Sequence, residues 1–193
     1  MGAYYYLGAQ LPNLVYGQKP PMTSEAFKSL AKELMGSSDA TVLDFCSLAP
    51  GSMSDTDSKK LPNSKFLKLW KEWEHSLRLN LAKGRAHKLK RDVLHVDAPA
   101  YPSDAAGAAK IALTMETPLE AEIFLDKARW SAIESFQGID AFGKNTMYGY
   151  YLKLLLMERR MTFKKEEGFN EYKGLYASIL GSKTSGSSMG EAK

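Results

Sequence analysis

Between Asn145 and Phe163 the chain is apolar nearly all round a helix: Met147, Tyr148, Tyr150, Tyr151, Leu152, Leu154, Leu155, Leu156, Met157, Met161 and Phe163. In water such a helix has to be central and covered by others, because no polar face is left to meet solvent. A membrane span does not fit. The strongest apolar run, Met147 to Met157, is interrupted by Gly149 and Lys153 and falls short of the ~20 residues a bilayer needs. This one segment therefore calls for a shell of further helices.

The rest of the sequence supplies them. Phe27, Leu30, Ala31 and Leu34 recur at i, i+3, i+4 and i+7 behind Thr23 or Ser24 as N-cap, with Gly36 as the stop. Val42, Leu43, Phe45 and Leu48 form a short apolar patch before Pro50-Gly51. After Pro62-Asn63-Ser64, the residues Phe66, Leu69, Trp70, Trp73, Leu77 and Leu81 fall on one helical face, and two tryptophans there imply a substantial core beneath. Ser103 is placed to cap a small-residue helix from Asp104 to Met115, whose alanines permit close packing. Thr117-Pro118-Leu119-Glu120 joins a capping box to proline at the first helical position. The helix it starts carries Ile123, Phe124, Leu125, Trp130, Ile133 and Phe136, and stops at Gly138. A last helix carries Phe169, Tyr172, Leu175, Tyr176 and Ile179. Tyr4 to Leu11 reads as a short strand or as the start of a helix.

No stretch alternates long enough to require a sheet, so the expected class is all-α, a compact bundle of roughly six or seven helices. Residues 1–180 read as a single helical domain, with the polar loop 51–62 as the candidate internal boundary. Residues 181–193, rich in Ser, Gly and Lys, read as a disordered tail. The N-terminus lacks the basic start and long apolar run of a signal peptide. With a single cysteine, Cys46, no internal disulfide can form, so the expected compartment is the cytoplasm.

Reactive chemistry is scarce. Gly138-Ile139-Asp140-Ala141-Phe142-Gly143-Lys144-Asn145 nearly spells a phosphate-binding loop. That motif needs Ser or Thr after the lysine, to hold magnesium, and a buried strand before it. Asn145 and a capped amphipathic helix stand there instead, so a helix–turn–helix connection is the reading. Glu72 and His75 have the Glu-x-x-His spacing of carboxylate-bridged metal bundles, but a bundle site needs two copies facing the core. Only one copy is present, and His75 lies nearly opposite the direction set by Trp73 and Leu77. His87 and His95 have no glutamate at motif spacing, so surface or capping roles are the default for them. Cys46 reads as a small buried hydrophobe. The expectation is therefore no catalytic residue, no metal, no cofactor and no small-molecule substrate.

Charge is the strongest remaining signal. The formal net charge is +4, and Lys83, Arg85, Lys88, Lys90 and Arg91 crowd one stretch with His87. Between Lys59 and Arg91 the acids are Glu72 and Glu74. Such a stretch serves as a phosphate-binding face, as a docking face for an anionic protein, or as a merely solvated helix surface. Interleaved aromatics that would stack bases are missing, since Trp70 and Trp73 belong to the core stripe. Glu158 and Arg159, closing the apolar helix, suit either a partly buried pair that orients neighbouring helices or an ordinary exposed charged turn, the pair being the reading taken.

Two segments carry a resemblance. One is Tyr4-Tyr5-Tyr6-Leu7-Gly8-Ala9-Gln10-Leu11-Pro12. The other runs from Pro118-Leu119-Glu120-Ala121-Glu122 through Ala128-Arg129 to Phe142, then Tyr150-Tyr151-Leu152-Lys153-Leu154 and Met157-Glu158-Arg159. Together they resemble a family of small bacterial proteins encoded among the subunits of V/A-type ATPases. They are also similar to the helical cap of V-type ATPases, the component that joins rotor shaft to membrane ring. Where that cap carries Asn-Leu-Arg after its glutamate, this chain has Arg159-Arg160-Met161. The resemblance implies a non-catalytic helical subunit or accessory protein whose partners are central-stalk or membrane-ring subunits, meeting the membrane only through them. Lys83, Arg85, Lys88, Lys90, Arg91, Glu158 and Arg159 are then the interface candidates. The alternative is a basic helical protein that binds nucleic acid, followed by an enzyme with an unrecognised site.

Overall fold

The computed structural model describes residues 4–49, 62–90, 102–162, 173–176 and 178. Within them the regular structure is helical throughout, with no strand among the described residues. The helices are α1 (Tyr5–Gln10), α2 (Ser24–Leu34), α3 (Ser37–Leu43), α4 (Lys65–Lys88), α5 (Ser103–Thr114), α6 (Pro118–Gln137) and α7 (Lys144–Met161). The all-α class expected from the sequence is what the chain adopts. It divides into two compact units, residues 1–158 and 159–193. The second is helical at 173–176 and 178, where Ser178 Oγ donates to the Leu175 carbonyl at 2.9 Å. The loop 51–62 (but for Pro62), Arg91, His95 and the tail 181–193 lie outside the described residues.

Local signals set three of the helix starts. Thr23 caps α2 by accepting from the Ala26 amide, Ser64 caps α4 through Leu67, and Thr117 caps α6 through Glu120 with Pro118 behind it. Gly138 ends α6 at φ 75°, a conformation that costs a residue with a β-carbon about 1–2 kcal/mol. Two expectations need correction. Gly36 does lie just past the end of α2, but it makes no left-handed stop: Met35 is the extended C-cap, and Gly36, at φ −60°, is the N-cap of α3. Ser103 does not cap α5 but is its first residue, with Pro102 in the capping position, where proline's fixed φ suits the extended entry. The Tyr4–Leu11 ambiguity resolves as helix α1, which buries Leu7.

In the first unit α7 is the core helix. Met147, Tyr148, Tyr151, Leu152, Leu154, Leu156 and Met157 are all buried. Phe27 of α2 lies against Tyr150 and Tyr151, with ring centroids 5.1 and 6.0 Å apart, and Phe66 of α4 against Tyr148 at 5.9 Å. Of the α4 stripe, Phe66, Trp70, Trp73, Leu77 and Leu81 are buried and Leu69 is half-buried, and Trp70 and Trp73 stack at 6.1 Å. Ala105, Ala108, Ala109 and Ala112 give α5 the flat face on which it meets α4. These two helices run parallel. Trp73 Nε1 donates to Asp104 at the start of α5 (2.8 Å), while Gly84 meets Leu113 at its end so closely that a β-carbon on Gly84 would collide with it.

Burial has titration consequences. Desolvation pushes the Tyr148, Tyr150, Tyr151 and Tyr4 phenols up, Tyr150 to about 12. A neutral phenol favoured in the native state stabilises it fully below the unfolded value near 10, and that contribution is lost as pH rises through the folded values. Stability should therefore fall steeply between about pH 10 and pH 12. Tyrosine ionisation followed by ultraviolet absorbance should lag behind the free phenol until the fold collapses. The Cys46 thiol, 3% exposed, is pushed up to about 12 by burial. At neutral pH native protein should resist a thiol reagent such as iodoacetamide and react fully once unfolded in guanidinium. Rapid native labelling would show that the segment around Cys46 opens.

Candidate functional site

The most unusual chemistry lies inside the first unit, where α4 crosses α6. Arg129 is 5% exposed and lies between two buried carboxylates. Its Nε donates to Glu74 Oε2 at 3.1 Å, Nη2 to Glu74 Oε1 at 3.2 Å and Nη1 to Asp126 Oδ1 at 3.0 Å. Arg78 adds a bond from Nε to Glu74 Oε1 at 2.7 Å and one from Nη2 to the Leu48 carbonyl at 2.6 Å. Burial works against the Arg129 charge, but Glu74, Asp126 and Glu122 together outweigh it and hold the guanidinium pKa above its ordinary value. Two acids and two bases neutralise one another, and a fork-on-fork bond fixes the crossing of α4, α6 and the strap at Leu48. The guanidinium donors and carboxylate oxygens are turned on each other, which makes this a clasp rather than a catalytic pair. Sequence reasoning missed it: Glu74 was one acid in a basic stretch, and Asp126 went unremarked. The available signal was position, since Glu74 lies between Trp70 and Leu77 at core-facing spacing.

The near-match to a phosphate loop is a turn that serves its own neighbours. Asp140 Oδ1 accepts from the Phe142 amide at 3.1 Å, and the Asp140 carbonyl accepts from the Gly143 amide at 3.3 Å and from Thr146 Oγ1 at 2.6 Å. Lys144 Nζ reaches Asp39 Oδ1 at 3.4 Å. A phosphate would need those amides and that ammonium converging on one point; here they go to two different aspartates. The turn also anchors the N-terminal segment. The Tyr4 amide donates to the Phe142 carbonyl at 2.8 Å, and the Tyr5 and Phe142 rings lie 4.8 Å apart. Beside this contact lies a groove of about 320 Å³, lined by Leu11, Pro12, Leu14, Gln137, Tyr150 and Lys153 among others. Lys153 is engaged there with Glu134 at 3.1 Å, Gln137 at 3.2 Å and the Trp130 ring at 4.8 Å.

The interface candidates separate. Lys83, Arg85, Lys88 and Lys90 are exposed at the C-terminal end of α4. Lys88 bonds the Leu113 carbonyl, so its charge neutralises the exposed carbonyl end of α5. None of the described ion pairs uses Lys83, Arg85 or Lys90. Glu158 ties α7 to the start of α2, accepting from the Ser24 amide and from Ser24 Oγ at 2.6 Å each. That carboxylate therefore orients a neighbouring helix, and the partner it takes up is Ser24. Arg159 occupies the last turn of α7. Glu72, His75 and His87 are exposed. Among the described residues no group of three or more His, Cys, Asp or Glu could hold a metal ion, and no helix is long and apolar enough to cross a membrane. The chain matches no protein-family model, no curated protein and no solved structure.

Proposed function

We propose that this protein is a non-catalytic helical subunit or accessory protein of a V/A-type ATPase, a cap-like connector between central stalk and membrane ring. The observation that carries the reading is that the two segments resembling ATPase-associated proteins pack against each other. Tyr4 and Tyr5 meet Phe142, the Tyr150 hydroxyl donates to the Pro12 carbonyl at 2.8 Å, and both segments line one groove. Segments far apart in sequence that build one surface are what a shared docking role requires. A connector works by stiffness and contact area, and the Glu74–Arg129–Asp126 clasp resists the shearing of α4 against α6 that torque would produce.

The test is recovery of tagged full-length protein from cells under gentle lysis. Proteins of the shaft or ring should copurify in fixed ratio, and loss of the gene should impair ion pumping or assembly while ATP hydrolysis by the free catalytic sector continues. Recovery of nucleic acid in a nuclease-sensitive complex, with no ATPase component, would promote the nucleic-acid alternative.

A further inference from the structure

The parallel course of α4 and α5 brings both helices to an end on the same side of the first unit, where Gly84 and Lys88 meet Leu113. Two carbonyl-rich helix ends lie side by side there, each negative by about half a charge. Lys88 answers one of them. The remaining cations exceed that need. At 100° per residue Lys83 and Arg85 flank Gly84, one on either side of the seam between the helices. Lys110 of α5 is also exposed. Lys90 follows the last turn at φ 50°, a left-handed conformation that a lysine adopts only at a cost. Between the cations Lys88 and Lys90, Leu89 is 64% exposed. No carboxylate occurs between His75 and Lys90, and the nearest described ones at this end are Glu116 and Glu120 on the adjoining turn.

We infer that this end of the bundle docks an acidic helix of another protein, with Leu89 as apolar anchor and Lys83, Arg85 and Lys90 as the charges that steer it. Charge sets encounter and orientation, while a desolvated apolar contact holds the complex. The mixed rim selects among anions. A phosphate backbone or an anionic lipid surface is uniformly negative and would repel Glu116 and Glu120, whereas a protein helix can set a cation opposite them. No aromatic side chain is exposed on the described part of this end to stack a base, since Trp70 and Trp73 are buried. The inference rests on reading the protein as a binding module, not on the ATPase assignment.

A photo-crosslinking residue, benzoylphenylalanine, placed at Leu89 in the full chain tests it in cells. The expected result is one protein adduct whose crosslinked peptide, identified by mass spectrometry, is helical in pattern and rich in Asp and Glu. Lys83→Glu, Arg85→Glu and Lys90→Glu together should cut the adduct on the order of tenfold or more, with an unchanged melting temperature of the free protein. The same probe at Lys68, exposed on the first half of α4, should not give it. No adduct, an adduct indifferent to the charge reversal, or one with lipid or nuclease-sensitive nucleic acid overturns the inference. An acidic partner from outside the ATPase leaves the inference standing and removes the ATPase reading. ATPase components that copurify without any adduct at position 89 do the reverse.

Discussion

Replacing Arg129 by methionine should cost about 3–5 kcal/mol of stability, because it leaves carboxylates buried around an apolar side chain. Arg78 still answers one oxygen of Glu74, at 2.7 Å. Asp126, 2% exposed, loses the guanidinium at 3.0 Å and with it the charge that balances its own. Urea denaturation at constant slope measures the loss. The control is the triple variant Glu74→Met, Asp126→Leu, Arg129→Met, which removes the charges together and should recover much of the deficit. If the single variant is as stable as the parent, the clasp does not hold α4 on α6. If the triple variant is stable but loses association with partners, the clasp contributes geometry rather than free energy.

Trp73→Ala should destabilise by a similar amount, about 3–5 kcal/mol, for a different reason. Trp73 is 1% exposed, lies against Trp70 with ring centroids 6.1 Å apart, and gives its indole N–H to Asp104 at 2.8 Å. The substitution opens a cavity between α4 and α5 and frees the first turn of α5 at once. For a chain of this size the melting temperature should drop on the order of ten degrees. Asp104→Ala separates the two contributions: it removes the bond without the cavity and should cost only about 1–2 kcal/mol.

What could be read ahead of the structure divides along one physical line. The α4 stripe, the Thr117-Pro118 start and the Gly138 stop were legible because their causes lie within one turn of chain. The turn at Gly138–Lys144 was legible as a connection for the same reason, its Asp140 being part of the motif. The buried clasp was not legible, because a charge on a core-facing position is an error or a design depending on a partner 55 residues away. Glu158 illustrates the same point. Its place at the end of the apolar helix suggested an orienting carboxylate, but Ser24, 134 residues earlier, carries no mark of the bond it makes. Lys88 bonds a backbone carbonyl, which no side-chain pattern announces. Ser103 was misplaced by one position, with Pro102 in the capping place, and Gly36 lies where expected but with φ −60° rather than a left-handed stop.

The helix with the most buried apolar side chains, α7, is also the last of the first unit to be synthesised. While α7 remains in the ribosome, Phe27 and Phe66 lack the rings they pack against, Pro12 lacks the Tyr150 hydroxyl and Ser24 lacks Glu158. Each of those contacts joins residues far apart in the chain, so loop closure must precede any reward from them. The nascent protein therefore passes through a stage with finished helices and an open middle, displaying aromatic surface to solvent. Slower translation through the α6–α7 region should therefore lower the yield of folded molecules, and a chaperone that shields apolar faces should restore it, as the soluble fraction of the expressed protein would show.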